Sequence, residues 1–89
     1  MKVRVRLFAR ARELAECSVL ELDLPANATI ADLRRRLGAD VPALLGILES
    51  SAFAVNERLA ESVTEALSPD AEVALLPPVS GGEALVLDR

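Results

Sequence analysis

Residues 2–9 read KVRVRLFA. Val3, Val5 and Leu7 alternate with Lys2, Arg4 and Arg6, the period of a strand with one face buried and the other in water. Residues 18–24, SVLELDL, repeat the pattern. Leu20, Leu22 and Leu24 point one way, Glu21 and Asp23 the other. The first strand offers a basic outer face and the second an acidic one. If the two are antiparallel neighbours, these charges pair across the strands. If they are not, both faces are simply solvated. Residues 10–17, RARELAEC, carry Ala, Leu and Glu and no β-branched residue, which suits a short helix or helical turn.

Beyond the turn at residues 25–28, Thr29 has the character of an N-cap, with Asp32 three positions on and Ile30, Leu33 and Leu37 apolar. This is a capping box with Asp in place of Glu or Gln. The helix is expected to run to about Leu37 and to stop at Gly38, a residue type favoured just past helix ends. Arg34, Arg35 and Arg36 then fall near its C-terminus, where the helix dipole favours cations. The plain account of this triplet is a solvated face rather than a phosphate site. Residues 41–48, VPALLGIL, are too apolar for a free loop and are read as a short helical cover for the sheet. AFAVN at residues 52–56 is a short buried strand, with Asn56-Glu57 starting a turn. Residues 61–67 are irregular or a helical turn, and SPDA at residues 68–71 is a turn by composition. EVALL at residues 72–76 is the final strand, ended by Pro77-Pro78, which have no N–H to give a sheet ladder.

This order predicts an α+β fold with a mixed sheet and a helix packed on one face. A common form of it, the β-grasp, sets the first and last strands side by side and parallel in the centre. Periodicity alone leaves that pairing open.

The chain has 89 residues, enough for one domain with a thin core. Hydrophobic residues make up 52%, which argues for a folded chain, and aromatics only 2%, so the core is aliphatic. Ten Lys and Arg against fourteen Asp and Glu give a net charge of −4. That balance disfavours nucleic acid and suits a basic protein partner. There is no histidine and one cysteine, so a zinc site and Ser-His-Asp or Cys-His catalysis lack their residues. No apolar run is long enough to span a membrane, and the patterned strand at the start does not read as a signal peptide. A cytoplasmic location is expected.

Catalytic templates are equally sparse. Gly38 and Gly46 are isolated, so no phosphate-cradling loop is present. Glu13, Glu16, Glu21 and Asp23 sit where a solvated surface puts carboxylates. Cys17 reads as a half-buried small hydrophobe rather than a nucleophile. The tail remains, PPVSGG at residues 77–82. Pro77 and Pro78 fix two φ angles and favour extended chain. Gly81 and Gly82, lacking Cβ, can pass through a channel too narrow for other residues.

VRLFARARELAE at residues 5–16, FAVNERL at residues 53–59 and LSPDAEVALLPPVSGG at residues 67–82 together resemble the small subunit of molybdopterin synthase, the ubiquitin-like sulfur carrier of molybdenum cofactor biosynthesis. The likeness implies a β-grasp fold and a carrier role. In that family an E1-like adenylyltransferase uses ATP to adenylate the terminal glycine. A persulfide-derived sulfur then replaces AMP and leaves a thiocarboxylate. The tail enters the large catalytic subunit, and the sulfur passes to cyclic pyranopterin monophosphate. Carried onto this chain, the resemblance makes Gly82 the reactive residue and Pro77, Pro78, Val79, Ser80 and Gly81 the threaded stem. Phe8, Leu59 and Leu76 become the contact with the large subunit. No cofactor is expected on the chain itself, and ATP belongs to the activating enzyme.

Residues 83–89, EALVLDR, depart from the family. Adenylation needs a free carboxylate at Gly82, and here that carbon forms a peptide bond to Glu83. The expectation is a domain over residues 1–82 and an extension over residues 83–89 that a peptidase removes. The alternatives are a β-grasp module that docks a partner with its tail intact, a fusion remnant at the tail, and a sulfur carrier for thiamine, cysteine or tungsten cofactor synthesis.

Overall fold

The computed structural model describes residues 1–78. In chain order the elements are β1 (Lys2–Leu7), α1 (Ala9–Ala15), β2 (Val19–Asp23), α2 (Ile30–Asp40), a 3-10 turn (Pro42–Leu44), α3 (Leu45–Leu48), β3 (Ala52–Val55), β4 (Arg58–Leu59) and β5 (Glu72–Leu76). The strands form one sheet in the order β2-β1-β5-β3-β4. β1 and β5 are parallel and lie inside the sheet, while β2, β3 and β4 pair antiparallel with their neighbours. The expected β-grasp arrangement is thus the observed one.

The alternation in β1 becomes burial directly: Val3, Val5 and Leu7 are buried, and Lys2, Arg4 and Arg6 are exposed. On β5, Val73 and Leu75 are buried on the same side. Ile30, Leu33 and Leu37 of α2 join them in one apolar core with Leu44, Leu48 and Phe53, its single aromatic member. Each fully buried side chain of this kind is worth about 1.5–3 kcal/mol of transfer free energy. Cys17 is half-buried and packs at the margin of that core.

β1 and β2 are antiparallel neighbours. Of the two oppositely charged pairs that face each other, only Arg4 and Glu21 form an ion pair among the described residues, and Asp23 lies instead 3.7 Å from the Met1 amino group. Arg4 faces Glu21 and Lys2 faces Asp23. Arg4 Nη2 lies 3.6 Å from a Glu21 carboxylate oxygen, with both side chains more than half exposed. Such a pair contributes little to stability, and the register is set by the buried alternation of Val3, Val5 and Leu7 against Leu22.

The start of α2 follows the sequence closely. Thr29 Oγ1 accepts from the Asp32 N–H at 3.3 Å, and the Thr29 N–H donates to Asp32 Oδ2 at 2.9 Å. The next two free helical donors are met from elsewhere: the Ile30 N–H reaches the Glu65 carbonyl at 3.1 Å and the Ala31 N–H the Val63 carbonyl at 2.9 Å. The irregular stretch after β4 therefore closes the open end of the helix, where the first turn has no intrahelical partners.

The far end of α2 differs from expectation. The helix passes through Gly38 and ends at Asp40. Gly38 is buried, and a Cβ there would lie 2.6 Å from Leu45 Cδ2 and 3.3 Å from Leu48 Cδ1. The glycine serves the close approach of α3, and the stop comes from Pro42. A residue before proline disfavours helical angles, and Val41 sits at φ −132°, ψ 80°. The three arginines consequently occupy the middle of the helix, so the dipole does not account for them. Arg35 pairs with Asp32 at 3.1 Å, and Arg36 pairs with Asp40 at 2.9 Å while donating to the Asp23 carbonyl at 2.9 Å. The segment after Val41 is helical as expected, in two short pieces. β4, which the sequence reading did not separate from the turn, pairs Leu59 with Ala54 and Arg58 with Val55.

Candidate functional site

The sheet has two faces, and α2 with its partners covers one. Residues opposite each other in a ladder share a face, so register maps the other. One row of the open face runs Val19, Arg6, Ala74, Ala54, Leu59 across β2, β1, β5, β3 and β4. The next row toward the C-terminal end of β5 holds Leu76 opposite Ala52. Phe8, one residue past β1, keeps an extended backbone at φ −123°, ψ 155° and continues the alternation. It belongs to the same row. On the other side of the central row the face turns charged, with Arg4, Glu21 and Glu72.

Most of this surface is apolar and uncovered. Leu59 is 60% exposed, Val19 42% and Phe8 39%. Leu76 is half-buried. The three alanines between them form a low floor, and the larger side chains stand at its edges. Phe8, Leu59 and Leu76 thus share one surface. The sequence reading missed Val19 and the alanine floor, although a signal was present. EVALL and AFAV are apolar on both parities, a pattern typical of strands covered on both faces. In the isolated chain only one face of β3 and β5 is covered.

The same end of the sheet releases the tail. β5 ends at Leu76, Pro77 is half-buried and Pro78 is exposed. Val79, Ser80, Gly81 and Gly82, and the extension over residues 83–89, lie outside the described residues. Among the described residues no group of three or more His, Cys, Asp or Glu is placed to hold a metal ion. No described helix is long and apolar enough to cross a membrane.

The model of the ThiS family matches residues 5–82. The chain belongs to the ThiS family. That match takes in β1 from Val5 onward, every later strand and helix described, and the whole PPVSGG segment, and leaves residues 1–4 and 83–89 outside it. The molybdopterin synthase sulfur carrier subunit of Chlamydomonas reinhardtii is 36% identical over 83 residues, covering 92% of this chain and all of the algal one. SAMP1 from Haloferax volcanii superposes with a TM-score of 0.79 at 31% identity, over 92% of this chain and all of the archaeal one. The complex of subunits 1 and 2 of molybdopterin-converting factor from Helicobacter pylori contains a chain with a TM-score of 0.68 at 27% identity. That superposition covers 92% of this ThiS-family chain and all of the bacterial one.

Proposed function

We propose that this chain is the sulfur carrier subunit of a molybdopterin synthase. Its sulfur is a thiocarboxylate at Gly82, delivered by a tail that leaves a docked sheet face. The observation that carries the reading is a coincidence at one end of the molecule. An apolar open face ends at Phe8 and Leu76, and the PPVSGG segment of a ThiS-family chain starts from that point. The likeness to molybdopterin synthase carriers along 92% of the chain supports the choice of pathway.

The chain's own part in the reaction is small, as its side chains suggest. The Gly82 carboxylate attacks the α-phosphate of ATP on an E1-like enzyme, releasing pyrophosphate. The terminal sulfur of a persulfide on the sulfur-donating enzyme displaces AMP to form an acyl disulfide. A second thiol, the two-electron reductant, cleaves that S–S bond, becoming part of a disulfide and freeing the thiocarboxylate. In the large subunit that sulfur bonds to a side-chain carbon of cyclic pyranopterin monophosphate, displacing the oxygen held there. Water hydrolyses the resulting thioester, so that the sulfur stays on the pterin and Gly82 regains its carboxylate; the catalytic groups are the partner's. Pro77 and Pro78 hold the stem extended, which reduces the entropy lost on insertion. Val79, Ser80 and Gly81 complete the threaded segment. Phe8, Leu59 and Leu76 dock the open face. An amide at Gly82 cannot be adenylated, so a peptidase that cuts between Gly82 and Glu83 precedes activation.

Two forms test this in a host lacking its own carrier: the full chain and a chain ending at Gly82. The short form is expected to restore molybdopterin and to gain the mass of one sulfur in place of one oxygen. The full chain is expected to do so only after losing residues 83–89. A short form that binds the large subunit yet never acquires sulfur would leave a docking module and sink the carrier reading. Rescue of a thiamine or cysteine defect instead would reassign the pathway.

A further inference from the structure

Arg6 is the one charged member of its row on the open face. Its cross-strand partners are Val19 on β2 and Ala74 on β5. Two residues along the strand lie Phe8 on one side and Arg4 on the other. Three of its four nearest positions on that face are therefore apolar. Among the described residues Arg6 makes no ion pair, whereas Arg4, in the neighbouring row, is paired with Glu21. The docking face proposed above includes Phe8 and Leu76 in the row beyond Arg6 and Leu59 in its own row. A partner surface that covers these residues also covers Arg6. A guanidinium cannot shed its charge, and taking one out of water without a counter-ion is costly.

We infer that the partner presents a carboxylate to Arg6 from within an otherwise apolar contact, and that this pair sets the register of docking and with it the direction of the tail. Apolar contact over a flat alanine floor is weakly directional. A bidentate arginine–carboxylate pair is directional and selects against surfaces that lack the acid. The inference rests on the docking reading of this face, and the two can fail separately. Arg6 is a positioning residue here, since it acts by aligning the tail rather than by touching the reacting atoms.

The test measures binding of the chain ending at Gly82 to the purified large catalytic subunit of the same host. Arg6→Gln is expected to weaken binding at least about 10-fold and Arg6→Glu at least about 100-fold, as loss of a desolvated charge pair does. Most of the loss should persist when salt is raised well above about 0.15 M, because a covered pair is screened little. Arg35→Gln, on the helix side, makes the same change in net charge and should leave affinity within about twofold, since it removes only long-range steering. Phe8→Ala reports on the docking face itself. If Phe8→Ala weakens binding while both Arg6 variants bind like the parent, docking stands and the acid pair is overturned. If all three bind like the parent, the docking face itself is wrong. Reversing the charge of each interfacial Asp or Glu in the partner should find one change that restores Arg6→Glu, and failure of every reversal also overturns the pair. Unchanged urea midpoints confirm that the variants are folded.

Discussion

Glu57 is held at φ 71° and Asn56 at φ 49° in the two-residue turn between β3 and β4. Both central residues are left-handed, as the tightest hairpin turns require, and the second position favours glycine. Asn56 suits its place. Its N–H donates to the Glu72 carbonyl at 2.8 Å and its Oδ1 accepts from the Glu72 N–H at 3.0 Å, fastening the turn to β5. Glu57 has no such compensation among the described residues. Glu57→Gly is expected to raise stability by about 0.5–1 kcal/mol, the usual cost of a side chain in that region less the entropy of an added glycine. The urea midpoint should rise with an unchanged slope. A fall would mean that Glu57 makes a contact that offsets its strain.

At the scale of the element, α2 depends on its first turn. The Thr29 N–H, then the Thr29 hydroxyl and then Arg35 donate to Asp32, and together they hold its carboxyl below the usual carboxylate range. A group whose folded pKa is depressed stabilises the fold above its unfolded value, near 3.8. That contribution is lost as pH falls through the lower folded value. Asp32→Asn is therefore expected to lower stability at neutral pH and to flatten the stability curve below about pH 4 relative to the parent. Equal slopes for the two proteins on acidification would rule out Asp32 as a source of acid sensitivity. The box was visible in the sequence because Thr29 and Asp32 are only three residues apart. The carbonyls of Val63 and Glu65 were not, since they arrive from more than thirty positions downstream. Gly38 misled for a related reason: in sequence it resembles a helix stop, and only the placement of Leu45 and Leu48 shows that it is a contact.

For the whole molecule, a single apolar core ties both central strands to α2. Leu33 is fully buried in it. Leu33→Ala is expected to cost about 2–5 kcal/mol, against about 4–13 kcal/mol for a chain of this length. Thermal unfolding should show a sharply lower midpoint, and the variant should be the least abundant in cells. A loss below about 1 kcal/mol would mean that the core closes over the gap.

The parity of β1 and β2, the capping box, the turns and the final strand were determined by sequence alone, because each depends on residues a few positions apart. The PPVSGG segment was visible in the sequence as a motif, and the ThiS family model takes it in, while residues 79–82 lie outside the described residues. Tertiary structure alone decided which apolar residues of β3 and β5 are core and which are surface. EVALL and AFAV are apolar on both parities, so their pattern carries no face label until β1 and α2 claim one side. It also decided that Phe8, Leu59 and Leu76 share a surface, and that Arg6 stands among apolar neighbours there. Those relations depend on the parallel pairing of β1 with β5, two segments about seventy residues apart whose register no local pattern can fix.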